Sequence, residues 1–243
     1  MIEVHQLQKR FGRQTVLEDV SFSIPLGESL VIIGRSGCGK SVLLKHIIGL
    51  LQPDAGSVRI DGEEITTMDE RNLIRVRSKF GMVFQGAALF DSLTVAENVA
   101  FAFRRNKTMS AKEIAHKVAE ALEMVDLPGI ETKKPSELSG GMRKRVGLAR
   151  AIIYHPQIVL YDEPTTGLDP VVSDSIDKLI IRVTQHLKVT AIVVTHDMRS
   201  ARRVGDRIVM LHDKKVYASG TPEDIFHSTD PVVRQFINGI ADP

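Results

Sequence analysis

Residues 34–41 have the types and spacing that bind phosphate groups. They read Gly-Arg-Ser-Gly-Cys-Gly-Lys-Ser, which fits the pattern of a glycine, four residues and then Gly-Lys-Ser/Thr. Glycine permits positive φ and lets phosphate oxygens approach the backbone, whose N–H groups can then converge on a triphosphate. Lys40 is therefore predicted to reach the β- and γ-phosphates, and Ser41 to ligate Mg²⁺. The predicted phosphate contacts are Gly34, Arg35, Ser36, Gly37, Cys38, Gly39, Lys40 and Ser41.

Polar side chains that could act on a triphosphate follow three other apolar segments. Asp162 and Glu163 come directly after one such run, His196 follows a second and Gln85 follows a third. An acid at the carboxyl end of a buried parallel strand lies at the ligand edge of its sheet. We predict that Asp162 holds Mg²⁺ through water and that Glu163 polarises the attacking water as general base. His196 is predicted to contact the γ-phosphate, and Gln85 to ligate Mg²⁺ and position the water.

Each of these features has a structural explanation when it stands alone. The glycine pattern can match by accident, the acid pair can be a solvated loop, and a single histidine is more often structural than catalytic. The context favours function, because the glycine loop lies between a strand-like run and a helix-like run and precedes the acids. Cys38 is predicted to be a small loop residue whose alkylation would block nucleotide binding by filling the loop.

Strand-like and helix-like segments must position these side chains. Short apolar runs predict strands, and apolar residues at three- and four-residue intervals predict helices. The predicted strands cover 2–7, 16–24, 29–33, 57–61, 63–65, 81–84, 158–161, 191–194 and two short edge strands within 207–219. The predicted helices cover 42–51, 94–126, a long helix opened by 138–142 and ending near 154, 172–186 and 231–240. Phe11 is predicted to lie in the loop after the first strand. The pattern is typical of an α/β fold with an inserted helical lobe.

The overall composition places few limits on function. The chain has 243 residues, of which 43% are hydrophobic and 26% charged, with a formal net charge of +2. Basic residues are spread out and aromatic residues are few, so no nucleic-acid surface is predicted. The single cysteine excludes an internal disulfide and fits a reducing compartment. No signal peptide is recognised and no apolar run approaches about 18 residues, so any membrane role is expected to be peripheral.

The order of the motifs resembles the nucleotide-binding domain of ATP-binding-cassette (ABC) proteins over almost the whole chain. Residues 138–142 read Leu-Ser-Gly-Gly-Met and look like the family's signature motif, while 166–169 resemble its D-loop and 195–197 its switch-histidine loop. The resemblance implies an α/β fold with a P-loop core sheet, an N-terminal antiparallel β-subdomain and an inserted α-helical subdomain. The implied division assigns 1–85 and 156–228 to the β-subdomain and P-loop core, 86–155 to the helical subdomain and 229–243 to a C-terminal tail helix.

The resemblance also implies an ATPase that binds ATP with Mg²⁺ and works as a homodimer. Phe11 stands where the family has an aromatic residue that stacks on adenine. Ser139, Gly140 and Gly141 would contact the γ-phosphate of the ATP bound to the partner subunit, since a helix start offers N–H groups and a positive dipole. Asp169 would pass the state of one ATP site to the other.

Three further features resemble the ATPase subunits of Mla-type, Mce-associated transporters. Residues 85–90 are unusually apolar, the signature motif ends in Met142 where ABC proteins usually have Gln, and residues 233–242 form a distinctive tail. That group moves phospholipid between the two membranes of Gram-negative envelopes and helps keep the outer membrane asymmetric. The resemblance implies a peripheral place on the cytoplasmic face of the inner membrane. The implied partners are integral-membrane permease subunits, an Mce-domain lipid-binding protein and a small accessory subunit.

Several points stay open at this level. Leu89, Phe90 and Leu93 are predicted to be exposed and to receive a permease helix, with ordinary core packing as the alternative. The tail helix could pack on its own subunit or cross to its dimer mate, and Tyr161 has no functional explanation. Two other functions are compatible with the motifs. One is the ATPase of another ABC importer or exporter, for instance for amino acids. The other is a soluble ABC ATPase acting on ribosomes or DNA. Those soluble proteins usually fuse two cassettes or insert a long coiled coil, whereas this chain has one cassette and no heptad run.

Overall fold

The computed structural model describes residues 1–103 and 109–240, which form two β-sheets with helices packed around them. The strands are β1 Ile2–Phe11, β2 Gln14–Ile24, β3 Ser29–Ile33, β4 Ala55–Ile60, β5 Glu63–Glu64, β6 Phe80–Val83, β7 Ile158–Asp162, β8 Thr190–Val194, β9 Arg207–His212 and β10 Lys215–Gly220. The helices are α1 Lys40–Ile47, α2 Glu70–Arg77, α3 Val95–Val99, α4 Ala111–Met124, α5 Gly140–Ile152, α6 Pro170–Leu187, α7 Met198–Val204, α8 Pro222–Phe226 and α9 Pro231–Ile237. Short 3-10 turns cover Ala100–Phe103 and Pro135–Glu137.

The larger sheet brings the predicted site strands together. Within the described residues its order is β10-β9-β3-β8-β7-β6, and β9, β3, β8, β7 and β6 run parallel. Strands β3 and β8 are buried along their whole length, as expected for strands covered on both faces. The prediction of two edge strands within 207–219 is wrong for β9, which pairs with β3 on one side and β10 on the other.

The smaller sheet is antiparallel, with the order β2-β1-β4-β5 in the part of the chain that the structure describes. Its buried side chains, among them Leu7, Leu17 and Val58, pack with Leu43 of α1 and with Leu30 on one face of the larger sheet. Phe11 is the last residue of β1, where it pairs with Gln14, so its predicted place in a loop is wrong. The hairpin between β4 and β5 turns at residues 61–62, as predicted.

The helices between β6 and β7 pack on the opposite face of the larger sheet. Thr94 and Ser110 begin α3 and α4 with reciprocal side-chain caps, each pairing with a glutamate three residues later. The fold prediction of a parallel P-loop core, an antiparallel β-subdomain and inserted helices is therefore confirmed. The subdomain limits stay predictions, and the predicted helical stretch 94–126 includes 104–108, which lie outside the described residues, as do 241–243 of the tail.

Other helix limits differ from the sequence prediction. Helix α1 ends at Ile47 rather than near 51, because Gly49 takes a left-handed φ of 67°. Helix α9 ends at Ile237 rather than 240. Helices α2, α7 and α8 were not predicted, and each buries only one to three residues. No helix in 1–103 or 109–240 combines the length and apolarity that crossing a bilayer requires.

His46 gives the helix that follows the glycine loop a pH-sensitive contact. Its Nδ1 lies 2.7 Å from the Leu51 carbonyl oxygen, while its buried Nε2 has no partner among the described residues. Burial lowers the pKa of His46, with the nearby Lys9 charge acting in the same direction. Protonation of the folded protein would therefore place an unpaired charge in the core.

We expect His46 to cost stability as the pH falls. A histidine whose pKa is lower in the folded chain contributes full stability above the unfolded pKa of about 6.5, and that contribution declines as the pH drops below it. Urea unfolding at pH 7.5 and 5.5 should show a larger loss of unfolding free energy for the unmodified chain than for His46→Gln. An identical pH dependence in the two proteins would contradict this expectation.

Candidate nucleotide site

A cavity of about 1080 Å³ opens where the parallel strands of the larger sheet end. The glycine loop after β3 forms one side, and Gln85, Glu163 and His196, which follow β6, β7 and β8, face the same space. Phe11 and Val16 line it from the smaller sheet. The structure thus brings together the predicted catalytic residues and all the predicted triphosphate contacts of the glycine loop except Cys38. The residues that line the cavity from the tail were not predicted; they are Gln235, Phe236, Gly239 and Ile240.

The glycine loop has the backbone geometry that its sequence predicts. A Cβ atom on Gly34 would lie 2.5 Å from the Leu211 carbonyl oxygen, so this close approach requires glycine. Gly39 caps α1 in a left-handed conformation, and the helix N-terminus points into the cavity from Lys40. The Lys40 side chain is buried and its Nζ donates to the carbonyls of Gly34 at 2.7 Å and Arg35 at 3.0 Å. This arrangement supplies backbone N–H groups and one ammonium to an anion.

Glu163 is held in a strained and specific position directly after β7. It has a φ of 51°, which is uncommon for a side chain with a Cβ, and its N–H donates to the Val194 carbonyl oxygen at 2.9 Å. Its Oε2 accepts from Thr166 Oγ1 at 2.9 Å and lies 2.8 Å from Nδ1 of His196. The carboxylate therefore has a fixed orientation next to an imidazole at the cavity wall. That geometry suits a general base acting on water.

Asp162 and Ser41 provide the oxygen atoms for a cation. The Ser41 hydroxyl lies 3.5 Å from Asp162 Oδ1. Burial raises the pKa of Asp162, and the neighbouring Glu163 charge raises it further. A divalent cation here would offset the repulsion between the two carboxylates, so the residues fit Mg²⁺ held by Ser41, Gln85 and, through water, Asp162. A bound Mg²⁺ would supply positive charge that offsets the charge of the phosphate groups.

Lys144 contacts the backbone of two site residues and is not among the residues predicted from the sequence. It lies on the buried face of α5, where its Nζ donates to the backbone carbonyls of Gln85 and, at 3.2 Å, Glu163. On the same helix, Arg150 donates to the carbonyls of residues 87 and 88, both of which have positive φ. Burial lowers the pKa of Lys144, whereas the nearby carboxylates raise it. A lysine at an inward-facing position of an otherwise apolar helix face was the available signal.

We expect Lys144→Met to lower the turnover number about tenfold with little change in the KM for ATP. Methionine keeps the packing of the side chain but removes the two hydrogen bonds that the ammonium donates. A small displacement of a catalytic group then reduces the reaction rate more than it reduces substrate binding. Steady-state ATPase kinetics test this, with Lys178→Met on the exposed face of α6 as the control. A proportional rise in KM, or no effect on turnover, would contradict a positioning role for Lys144.

Cys38 occupies a different place from the other loop residues. It does not line the cavity, and its side chain packs against the core formed by the smaller sheet and α1. Its sulfur lies beneath Gly34, where an added Cβ would approach Sγ within 2.7 Å. An added group on Cys38 would therefore crowd the Gly34 backbone, and inhibition by alkylation stays a prediction.

Alkylation of Cys38 is still expected to abolish ATP binding, but slowly. Burial raises the pKa of the thiol, so the reactive thiolate is scarce at neutral pH. Once formed, the adduct must displace the loop backbone. The measurement is ATPase activity against the modified fraction determined by intact mass, with Cys38→Ser as the control. Full activity in fully modified protein would contradict the expectation.

The signature segment, residues 138–142, does not line this cavity. Ser139 caps α5 by accepting from the Met142 N–H at 3.2 Å, and Gly140 and Gly141 form the first turn. A Cβ on Gly141 would lie 2.7 Å from Val172 Cγ1, so glycine allows the starts of α5 and α6 to approach closely. None of the three lines the cavity of its own chain.

Three other predicted residues have defined surroundings. Asp169 is exposed and caps α6 by accepting from the N–H groups of residues 171 and 172 at 2.9 and 3.0 Å. Met142 packs partly against the core, and Tyr161 is fully buried within it. Tyr161 is therefore explained by packing rather than by contact with a ligand.

Comparisons with known proteins agree with this geometry. A family model described as ABC transporter matches residues 17–166. A probable ribonucleotide transport ATP-binding protein of Mycobacterium leprae is 46% identical over 238 residues, covering 98% of this chain and 69% of the relative. The intermembrane phospholipid transport system ATP-binding protein MlaF of Escherichia coli K12 is 38% identical over 242 residues, covering 100% of this chain and 90% of the relative.

A solved structure gives the same result for the fold. It is a dimeric ATP-binding cassette in a post-hydrolysis state bound to ADP and Pi, and it has a TM-score of 0.82 and 35% identity, covering 91% of this chain and 99% of that chain. The chain spans about two thirds of the length of the mycobacterial relatives that it matches.

Proposed function

Because this chain belongs to the ABC transporter family, as an ATP-hydrolysing subunit, we propose that it powers phospholipid transport between the inner and outer membranes through a separate permease. The observation that carries the proposal is the similarity to E. coli MlaF along the entire chain. In this role the subunit would lie on the cytoplasmic face of the inner membrane and work with an Mce-domain lipid-binding protein and a small accessory subunit. ATP hydrolysis would then help to keep the outer membrane asymmetric.

In the proposed chemistry, the glycine loop, Lys40, Phe11, Glu163 and His196 have different tasks. The glycine loop and Lys40 bind the β- and γ-phosphates, and Phe11 stacks on adenine. Glu163 accepts a proton from the attacking water, and His196 contacts the γ-phosphate. The 2.8 Å contact between His196 Nδ1 and Glu163 Oε2 supports this assignment, because both groups then face the same phosphate.

The proposed assembly is a homodimer with two shared ATP sites. Ser139, Gly140 and Gly141 begin α5 with N–H groups, and they would complete the cavity of the partner subunit. They do not line the cavity of their own chain, which is consistent with that role. ATP would therefore hold the two chains together, and loss of the γ-phosphate would release them. Asp169, next to the same helix starts, would transmit the change between sites.

An exposed pair of stacked aromatic side chains supports a permease partner. Phe90 and Phe101 stack with ring centroids 4.5 Å apart and are 43% and 40% exposed. Buried Asn98 fixes the Phe90 backbone by accepting from its N–H at 2.8 Å and donating to its carbonyl at 3.1 Å. The expectation that Leu89 is exposed is wrong, since it is half-buried against the core, and Leu93 is also half-buried. Phe90 and Phe101 are thus the better candidates to receive an apolar permease helix.

The main alternative is the ATPase of a solute importer. The mycobacterial relative, which is described as a probable ribonucleotide transport protein, favours a cargo other than phospholipid. The ATP site would be the same in both systems. The two differ in their partners, since an importer uses a solute-binding protein in place of an Mce-domain protein.

Affinity capture from native membranes tests the proposal. The tagged chain is purified in mild detergent, and proteins and lipids in the eluate are identified by mass spectrometry. A permease with an Mce-domain protein, and phospholipid enriched over a mock eluate, is the expected result. A permease with a solute-binding protein and no lipid would favour the importer. A matched Phe90→Asp variant should lose the permease while keeping ATP binding.

A further inference from the structure

We propose that the C-terminal segment 235–240 forms a second wall of the nucleotide cavity and holds the base of the nucleotide together with Phe11. Such a wall would act in nucleotide recognition whatever the cargo is, and its role rests on the identification of the cavity as the ATP site.

The first observation is the composition of the cavity wall. Phe236 and Ile240 line the same space as Phe11 and Val16. Phe11 is 48% exposed and Ile240 is 60% exposed, so both present apolar surface to the solvent. The phosphate end of the cavity is lined by backbone N–H groups and Lys40, whereas these four side chains are apolar. A flat base gains from contact with such surfaces on more than one side.

The second observation is that the tail is fixed to its own chain. Asp230 caps α9 by accepting from the N–H groups of Val232 and Val233, and its carboxylate also accepts from the Tyr217 hydroxyl at 3.1 and 3.3 Å. Val233 is buried in the core. Phe236 packs partly against the same core. The wall is therefore preorganised, and little order would be lost on binding.

The third observation is the way in which the helix ends. Gly239 has a φ of 64°, and its N–H donates to the Phe236 carbonyl oxygen at 3.2 Å. The Ile240 N–H donates to the Gln235 carbonyl oxygen at 3.0 Å. This pair of hydrogen bonds with a left-handed glycine closes a helix and fixes the direction of the following residue. Ile240 is thereby positioned at the cavity although most of its side chain is not packed in the core.

Paired titrations with ADP and inorganic pyrophosphate test the proposal. Pyrophosphate occupies the phosphate end of the cavity but has no base. Calorimetry with the full chain, in the presence of Mg²⁺, should show that Ile240→Ala weakens ADP binding about fivefold, an effect typical of losing a partly buried apolar contact. Pyrophosphate affinity should not change. Asn238→Ala is the control, because Asn238 is on the same segment but lines a different depression.

The titrations distinguish a cavity without a second wall from a cavity that does not bind nucleotide at all. Selective loss of ADP affinity in Ile240→Ala, absent in Asn238→Ala, supports the second wall. Unchanged or tighter ADP binding would overturn it, as would equal weakening of ADP and pyrophosphate. An unmodified chain that binds neither ligand would overturn the ATP site itself, and the inference with it.

Discussion

Replacing Glu163 by glutamine is expected to reduce ATP turnover by at least about a hundredfold while ATP still binds. Glutamine has nearly the same shape but cannot accept the proton of the attacking water. The expected size follows from the usual contribution of a general base, which is on the order of 10²–10⁴. The contacts from Thr166 and His196 can be kept by the amide oxygen, so the site should retain its form.

The same variant should accumulate as a closed dimer in the presence of ATP. In the proposed assembly the γ-phosphate links the loop of one subunit to the signature segment of the other, and without hydrolysis this link persists. Size-exclusion chromatography with multi-angle scattering, alongside an assay of phosphate release, measures both effects. Glu18→Gln, which changes an exposed acid on β2, is the control. An ATPase rate equal to that of the unmodified chain would refute Glu163 as the base.

Replacing Lys40 by alanine is expected to weaken nucleotide binding by at least about thirtyfold, the lower range for removing a buried charged partner. Lys40 is buried at the N-terminus of α1, and its ammonium is held by two carbonyl oxygens of the glycine loop. Removing it takes away the ammonium that is expected to reach the β- and γ-phosphates and leaves those carbonyls without their donor.

Calorimetric titration with ADP measures this effect, and thermal unfolding shows whether the loop still folds. Lys45→Ala is the matched control, since Lys45 is exposed on the same helix. Affinity within threefold of the unmodified chain, with unchanged thermal stability, would contradict the proposed role of Lys40.

The fold and the location of the site could be predicted from sequence because both depend on local patterns. Strands β3, β7 and β8 contain continuous apolar runs, and the parallel arrangement carries the glycine loop, Glu163 and His196, which come after them, to one edge. The glycine loop is likewise a local motif, since its conformation depends on where glycine allows positive φ and close approach. Such features need little knowledge of distant contacts.

What could not be predicted depends on the order of elements in space. From its sequence, β9 is predicted to be a short edge strand. Its position inside the sheet follows only from its pairing with β3. Helix α2 buries Leu73 and Val76 alone, so its apolar pattern is too weak to recognise. Lys144 is distant in sequence from the two carbonyls that it contacts. The tail lines the cavity because of how it packs, and no sequence motif predicts that position.

Reconstituted lipid transfer measures whether ATP hydrolysis by this chain drives the movement of phospholipid. The complex captured with this chain would be placed in vesicles that carry a fluorescent phospholipid, and transfer to acceptor vesicles would be followed with and without ATP. We expect ATP to change the rate of phospholipid transfer for the unmodified complex and to have no effect when the complex contains Glu163→Gln. ATP hydrolysis by the unmodified complex with no change in phospholipid transfer would contradict this expectation.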